Sequence, residues 1–288
     1  MIEESRELLG SEVKIIVPAD GEDATAAVLM AFGECKRIEE EYSRFIDDNQ
    51  LAALNSAIGK WAAVSEELYG LLRVGEELRV FSGGAFDLTV KGILESWGYD
   101  KGYSLQEKNE VAGLGRLEFA DDFKVRISAE VDLGGLGKGY ALDRMVACLD
   151  GLNDFCINAG GDIFARGRNT EGDLWKILFE HPVDNSMALG FVEVDDMVLA
   201  GSSPSKRRWR NRHHIVDPLK MEPANEMLAV YVQADKGILA DAYATALFAM
   251  GYPEAKLILN NIPVETMLIG PDGAIVRSDG FKGELFID

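Results

Sequence analysis

The chain has 288 residues, of which 47% are hydrophobic and 27% are charged, as in an ordinary soluble globular protein with a sizeable core. Its formal net charge of −20 at pH 7 argues against binding to nucleic acid or to an anionic membrane, because either surface would repel it. For the same reason, a phosphate ligand would need a bound cation or a local basic patch to offset the repulsion.

The N-terminal residues are polar and acidic, and no signal peptide or membrane-spanning apolar run follows them. The three cysteines, Cys35, Cys148 and Cys156, lack the C-x-x-C spacing of a redox or metal motif, and we interpret them as buried free thiols. We therefore expect a cytoplasmic protein, or an exported one if a leader has been removed.

The first half of the chain predicts a strand followed by several helices. Residues 12–17 alternate like an edge strand, and residues 23–45 keep their apolar side chains on one helical face. Ser65 is predicted to be the N-cap of a helix over 65–81, because its hydroxyl can accept a hydrogen bond from the first helical turn. Residues 100–112 are polar and predict a loop.

The run 132–143 contains four glycines, Lys138 and an acid at each end, and it predicts a strand, a turn and the start of a helix. Glycines let the backbone approach a ligand and helix N-termini favour anions, so we interpret the run as a phosphate-binding turn, with Lys138 adding positive charge. Gly139 stands where a Walker A loop needs Ser or Thr, and Tyr140 occupies the third glycine position of a dinucleotide fingerprint. A glycine turn without a ligand is the alternative.

Strands dominate after residue 155, so the sequence predicts a mixed α/β fold rather than a strict alternation of the two element types. A helix predicted over 237–250 carries Asp241 and Thr245 four residues apart, on one face. Both side chains offer hard oxygen atoms of the type that Mg²⁺ prefers. The alternative is an ordinary Asp near a helix N-terminus and a Thr bonded back to its own helix.

A dense basic patch lies within residues 201–218. Five of the 29 Lys and Arg residues occur there within seven positions, and His213 and His214 follow directly. Such a patch could offset the negative field of the chain locally, and a histidine could supply a base near neutral pH. A solvated loop with structural histidines is the alternative.

Six segments together resemble the FAD:protein FMN transferases, also called the ApbE family, and they occur in the family's order over nearly the whole chain from about Leu9. The segments are 45–55, 83–87, 132–139, 158–162, 214–218 and 240–246. The resemblance implies one domain over 1–288 with a mixed α/β, T-fold-like architecture of two interlocked parts. It also implies an enzyme that binds FAD with Mg²⁺ and transfers FMN to a Thr or Ser hydroxyl of a target flavoprotein, releasing AMP.

The resemblance further assigns site residues by their positions in these segments. His214 falls on the family's base for the acceptor hydroxyl. The metal ligands fall on Asp241, Thr245 and the backbone carbonyl of Gly135. The flavin and diphosphate contacts fall on Phe45, Ala85, Phe86, Asp87, Asp132, Lys138, Gly160, Gly161 and Ile215.

Three segments depart from the family's pattern. The chain has 201–204 Gly-Ser-Ser-Pro where Thr-Ser-Gly is frequent, 220–223 Lys-Met-Glu-Pro where Thr-Gly-x-Pro is usual, and Asn49-Gln50 where Ser-Glu is usual. These differences concern acceptor recognition and flavin contacts more than metal binding. They leave open a carrier that binds FAD without chemistry and an FAD pyrophosphatase that passes FMN to water. The oligomeric state is also left open.

Overall fold

The computed structural model describes residues 1–108, 113–184, 186–205 and 207–286, so part of the predicted 100–112 loop lies outside the described residues. The helices are α1 Glu22–Tyr42, α2 Gln50–Asn55, α3 Glu66–Phe81, α4 Lys91–Ser96, α5 Gly137–Cys148, α6 Gly237–Met250 and α7 Tyr252–Ile258, with a 3₁₀ turn at Leu88–Val90. The strands are β1 Ile2–Leu8, β2 Ser11–Val17, β3 Trp61–Ala63, β4 Leu117–Ala120, β5 Lys124–Ile127, β6 Phe155–Ala159, β7 Asp162–Arg166, β8 Trp175–Glu180, β9 Ala188–Val194, β10 Met197–Ser202, β11 Arg208–Trp209, β12 Arg212–His213, β13 Val216–Asp217, β14 Glu222–Pro223, β15 Ala229–Ala234, β16 Glu265–Ile269, β17 Ile275–Arg277 and β18 Glu284–Leu285.

An eight-stranded antiparallel sheet forms the centre of the molecule, in the order β1-β2-β6-β7-β10-β15-β16-β17. Helices α1, α5 and α6 share one hydrophobic cluster with the alternate strand residues Val13 and Ile15. The small sheet β18-β9-β8 contributes Ile177 and Phe179 to a second hydrophobic cluster, against which the intervening β2 residue Ile16 packs. The prediction of a mixed α/β fold is confirmed.

The first strand of the chain was not predicted, and its presence changes the position of the second. Strand β1 pairs with β2 from Ile2 opposite Val17 to Leu8 opposite Ser11, so β1 is the edge strand and β2 lies inside the sheet. The prediction that 12–17 is an edge strand is therefore wrong. The acidic sequence of β1 concealed it, because an edge strand exposed to solvent shows little apolar alternation.

The boundaries of the early helices decide what lies beside the cavity described below. Helix α1 ends at Tyr42, three residues before the predicted end, and its backbone becomes extended at Ser43. Arg44 and Phe45 are thereby released from the helix. The N-cap prediction at Ser65 is confirmed, since its hydroxyl accepts a hydrogen bond from the Leu68 amide at 3.1 Å.

Two further predictions concern the cysteines and the membrane. Cys35 and Cys156 are buried free thiols, as predicted, whereas the free thiol Cys148 is half-buried. Burial raises the pKa of Cys35 and of Cys156 to about 12. Among the described residues, no helix has the length and apolarity needed to cross a membrane.

Candidate functional site

A cavity of about 850 Å³ opens where the glycine-rich turns and loops of the fold converge. All thirteen residues that the sequence singles out line this one cavity, although they come from segments up to 200 positions apart: Phe45, Ala85, Phe86, Asp87, Asp132, Gly135, Lys138, Gly160, Gly161, His214, Ile215, Asp241 and Thr245. A volume of this size is ample for a dinucleotide-sized ligand. The individual roles of these residues stay predictions.

The glycine-rich run is built around a close crossing of α5 and α6. A Cβ atom added to Gly139 would lie 2.5 Å from the carbonyl carbon of Gly237 and 2.7 Å from Cβ of Asp241. The Gly139 amide donates to Asp241 Oδ2 at 2.9 Å. Gly139 therefore serves helix packing, and the crossing brings Asp241 beside the start of α5.

Asp143, the acid at the far end of the same run, caps α6. Its Oδ1 accepts a hydrogen bond from the Gly237 amide at 2.5 Å, and its Oδ2 accepts one from the Ile238 amide at 3.0 Å. These amides lie in the first turn of α6 and have no partner within that helix. Asp143 thus fixes the helix that carries Asp241 and Thr245 against the helix that carries Lys138.

The ammonium of Lys138 lies between two buried carboxylates. Its Nζ is 2.6 Å from Asp162 Oδ2 and 2.9 Å from Asp241 Oδ1. Burial lowers the pKa of Lys138, but attraction to Asp162 and Asp241 outweighs burial and raises the pKa above its usual value. In this arrangement the Lys138 charge is paired, whereas the sequence interpretation had it available to a phosphate.

The three residues expected to supply oxygen donors to Mg²⁺ all line the cavity: Asp241 through its carboxylate, Thr245 through its hydroxyl and Gly135 through its carbonyl. A Cβ added to Gly135 would lie 3.2 Å from Thr245 Cγ2, so the turn and the helix are close neighbours. Asp162 and Asp241 carry two negative charges against one on Lys138, which leaves a net negative charge beside these donors. The chemistry of these residues fits a divalent cation, which would take its other ligands from phosphate oxygens and water.

The three expected Mg²⁺ ligands differ from a metal site made only of ionisable side chains. In the part of the chain that the structure describes, no three His, Cys, Asp or Glu side chains are grouped as metal ligands. The predicted set contains a single carboxylate. A set of this kind would leave further positions of a bound Mg²⁺ to the substrate.

The two adjacent histidines have different surroundings. His213 is 1% exposed, packs edge-on against Phe248 and accepts a hydrogen bond from the Ile215 amide at its Nδ1 atom. His214 lines the cavity, and its buried Nδ1 atom has no hydrogen-bond partner in the described chain. Burial, and next the positive charge of Arg207, lower the pKa of His214 to about 3. Of the two, His214 is the candidate base.

Asp87 and the glycine pair Gly160-Gly161 shape the cavity walls. Oδ1 of Asp87 accepts hydrogen bonds from the amide and hydroxyl of Thr89 at 2.7 and 2.6 Å, which closes the turn after Phe86. Gly160 has a φ of +68°, and a Cβ added there would lie 2.8 Å from Cβ of Ser11. A side chain at this position would be strained and would also clash, so the β6–β7 turn requires glycine.

The basic patch is only partly directed at the cavity. Arg207 and Arg208 line it, whereas Arg212 forms an ion pair with Glu107 at 2.8 Å. Trp209 is buried and donates from its indole nitrogen to the Trp97 carbonyl at 3.1 Å. Lys206 lies outside the described residues. The segment is therefore anchored to the fold and is not a freely solvated loop.

Several lining residues were missed by the sequence interpretation, and the most unusual is Arg44. Its side chain is 3% exposed, although it borders the cavity and carries a permanent charge. Tyr99, Tyr103 and Trp209 form an aromatic cluster beside it. Arg44 directly precedes the first family segment, 45–55, so its position could have indicated a place beside the cavity. Tyr103 fell in the polar loop and gave none.

Comparison with known proteins identifies the fold. The ApbE protein from Thermotoga maritima superposes with a TM-score of 0.87 at 26% identity, over 96% of this chain and 97% of that one. The flavin transferase ApbE from Vibrio cholerae has a TM-score of 0.85 at 20% identity, over 97% of each chain, and supports the fold alone. The mixed α/β architecture is therefore the ApbE fold.

Sequence relatives lead to the same group. The chain is 29% identical to a FAD:protein FMN transferase from Rhodobacter capsulatus over 300 residues, and 25% identical to one from Vibrio cholerae over 269 residues. The alignments cover 96% and 86% of this chain, but 56% and 78% of those proteins. The ApbE family model matches residues 9–268. The chain belongs to the ApbE family.

Proposed function

We propose that this protein transfers FMN from FAD to a Thr or Ser hydroxyl of a target flavoprotein, with Mg²⁺ as cofactor and AMP as the second product. The observation that carries the proposal is the convergence of all thirteen predicted residues on one cavity. Relatives named FAD:protein FMN transferase support it, as does membership of the ApbE family.

The reaction exchanges the phosphoanhydride bond of FAD for a phosphoester bond to the acceptor. The acceptor hydroxyl oxygen bonds to the phosphorus that carries the riboflavin part. The bond from that phosphorus to the bridging oxygen breaks, AMP leaves, and the hydroxyl proton passes to His214. Phosphoryl transfer depends mainly on positioning and on stabilisation of charge. The glycine turns and the α5–α6 crossing provide rigid positions for this chemistry.

His214 suits the role of base because its imidazole is neutral at physiological pH and so retains an acceptor nitrogen. Burial is the main cause of its lowered pKa, and the positive charges of Arg207 and Lys138 add to the effect. A bound diphosphate would oppose these positive charges and raise the pKa of His214 toward the working pH.

Mg²⁺, held by Asp241, Thr245 and the Gly135 carbonyl, would supply charge neutralisation at the diphosphate. This would answer the repulsion expected from a chain with a net charge of −20. Arg207 and Arg208 add positive charge at the same cavity. The free thiols of Cys35 and Cys156 are in keeping with a cytoplasmic location, which we include in the proposal.

The test is mass spectrometry of a flavin-acceptor domain incubated with this protein, FAD and Mg²⁺. A mass gain equal to FMN that EDTA abolishes is the expected result. Retention of FAD without a mass gain would instead identify a carrier. Release of AMP and free FMN without a mass gain would identify a pyrophosphatase.

A further inference from the structure

We infer that Arg44 is a positioning residue of the cavity: it holds the Asp132 carboxylate beside the Phe45 ring, so that the two together receive a planar heteroaromatic ring. The inference rests on the proposed function and deepens it. It names the group that organises the ring-binding end of the site, a role that the predicted contacts at Phe45 and Asp132 do not explain by themselves.

The Arg44 guanidinium connects three separate segments of the chain. Its Nε atom lies 3.3 Å from Asp132 Oδ2, and its Nη2 atom donates to the Tyr99 carbonyl at 2.8 Å. Its central carbon lies 4.3 Å from the centre of the Phe45 ring and 4.8 Å from that of Tyr99. One planar cation therefore fixes a carboxylate and two aromatic rings relative to each other.

The aromatic cluster already shows that this wall accepts a stacked ring. Tyr103 lies nearly parallel to Phe45, with 5.3 Å between ring centres and 15° between planes. Tyr103 is 52% exposed and has a φ of +45°, in the left-handed region that a bulky side chain rarely adopts. The chain thus places one of its own rings, in a strained loop, on the face of Phe45.

The energetics of Arg44 favour a role beyond stability. A buried guanidinium is costly unless all its donors are satisfied, yet Nη1 has no hydrogen-bond partner among the described residues. The Glu95 carboxylate lies 3.9 Å from Nη1, which is too far for a hydrogen bond. An apolar residue would fill this place at lower cost if only packing were required.

Asp132 is the group through which Arg44 acts on a ligand. Its Oδ1 accepts a hydrogen bond from the Gly134 amide at 2.9 Å, and its Oδ2 faces Arg44, so the carboxylate is held on both sides. A fixed carboxylate beside an aromatic face suits a ring that carries an N–H donor on its edge. Both the flavin imide and the adenine amine have this chemistry, and binding of FMN and of AMP separates the two.

The experiment is a double-mutant cycle on FAD affinity, read by flavin fluorescence. Arg44→Met and Asp132→Asn should each weaken FAD binding by about 10- to 100-fold, the range for a hydrogen bond to a charged group. The double variant should bind FAD no more weakly than the single variant with the lower affinity, because Arg44 acts through Asp132. Loss of affinity for FMN alone assigns the flavin end, and loss for AMP alone assigns the adenine end.

The matched control is Arg126→Met. Arg126 also forms an ion pair with a carboxylate, Glu118, and lies 5.1 Å from the Trp61 ring, but it does not border the cavity. The inference would be overturned if Arg44→Met bound FAD with an affinity within threefold of this control. It would also be overturned if the fold-losses of affinity caused by Arg44→Met and Asp132→Asn multiplied in the double variant.

Arg44→Lys guards against loss of folding in Arg44→Met, since it keeps the charge and removes the planar fork. We expect both the wild type and Arg44→Lys to unfold cooperatively. Arg44→Lys should nevertheless bind FAD about tenfold more weakly, because an ammonium cannot stack and pair in the same way. Wild-type affinity in Arg44→Lys would contradict the inference. Wild-type protein that binds no FAD would instead refute the proposed function.

Discussion

Gly139→Ala offers a sharp test of how the glycine-rich run works. The added Cβ atom would lie 2.5 Å from the Gly237 carbonyl carbon, whereas carbon atoms in contact prefer about 3.5–4.0 Å. The neighbour is backbone and cannot rotate away, so α5 and α6 must separate by about 1 Å. Overpacking costs up to about 3 kcal/mol, and the higher helix propensity of Ala offsets up to about 1 kcal/mol. We therefore expect a net loss of about 2 kcal/mol.

Urea unfolding of Gly139→Ala against Gly33→Ala measures this loss. Gly33 lies inside α1, where an added Cβ atom meets nothing within 4 Å, so that substitution should stabilise the protein by about 0.5–1 kcal/mol. FAD affinity should fall only in Gly139→Ala, because Asp241 moves with α6. A Gly139→Ala protein as stable as the wild type would refute the packing role of Gly139. If that stable protein had also lost FAD affinity, the glycine-rich run would contact the ligand directly.

Four other substitutions test the site and its supports. Asp143→Ala should destabilise the protein by about 1–2 kcal/mol in urea, because two amides of α6 lose their acceptor. Hydrogen bonds from Arg37 lower the pKa of Glu67 to about 2. The contribution of Glu67 to stability is therefore present above pH 4.5 and is lost as the pH falls toward 2. In Glu67→Gln, the melting temperature should fall less steeply over this pH range. His214→Ala should lose FMN transfer but keep its FAD affinity, whereas Asp241→Ala should lose Mg²⁺-dependent turnover, both measured by mass spectrometry and AMP release.

Two of these predictions have a matched control on the same chain. Glu66→Gln alters an exposed neighbour of Glu67 and should leave the pH dependence of stability unchanged. His181→Ala removes a histidine that does not border the cavity and should leave transfer intact. Transfer that survives within a few fold in His214→Ala would exclude His214 as the base. Unchanged turnover of Asp241→Ala at matched Mg²⁺ would exclude Asp241 as a ligand.

The sequence predicted features whose cause is local. Ser65 was identified as an N-cap because the cap and its first turn are adjacent in the chain, and the structure confirms the bond to Leu68. Asp241 and Thr245 were placed on one face of a helix from their spacing alone. Residues of the family segments were grouped through the resemblance, and the fold brings them to one cavity.

What the sequence could not show depends on contacts between distant segments. Lys138 was interpreted as a free charge, because its partners Asp162 and Asp241 lie 24 and 103 positions away. Gly139 was interpreted as part of a ligand turn, because its contact with Gly237 exists only once two helices cross. Arg44 looked like an ordinary helix residue until the early end of α1 turned its side chain into the fold.

The acidic strand β1 also affects how the protein behaves at high concentration. A sheet edge carries unpaired amides and carbonyls that can recruit a strand from another molecule and start aggregation. In β1, four of seven residues are charged, namely Glu3, Glu4, Arg6 and Glu7, and the opposite edge of the sheet, β17, is only three residues long. Approaching molecules would bring like charges together along the longer edge. The charges of β1 thus disfavour association of the large sheet with the strands of other molecules.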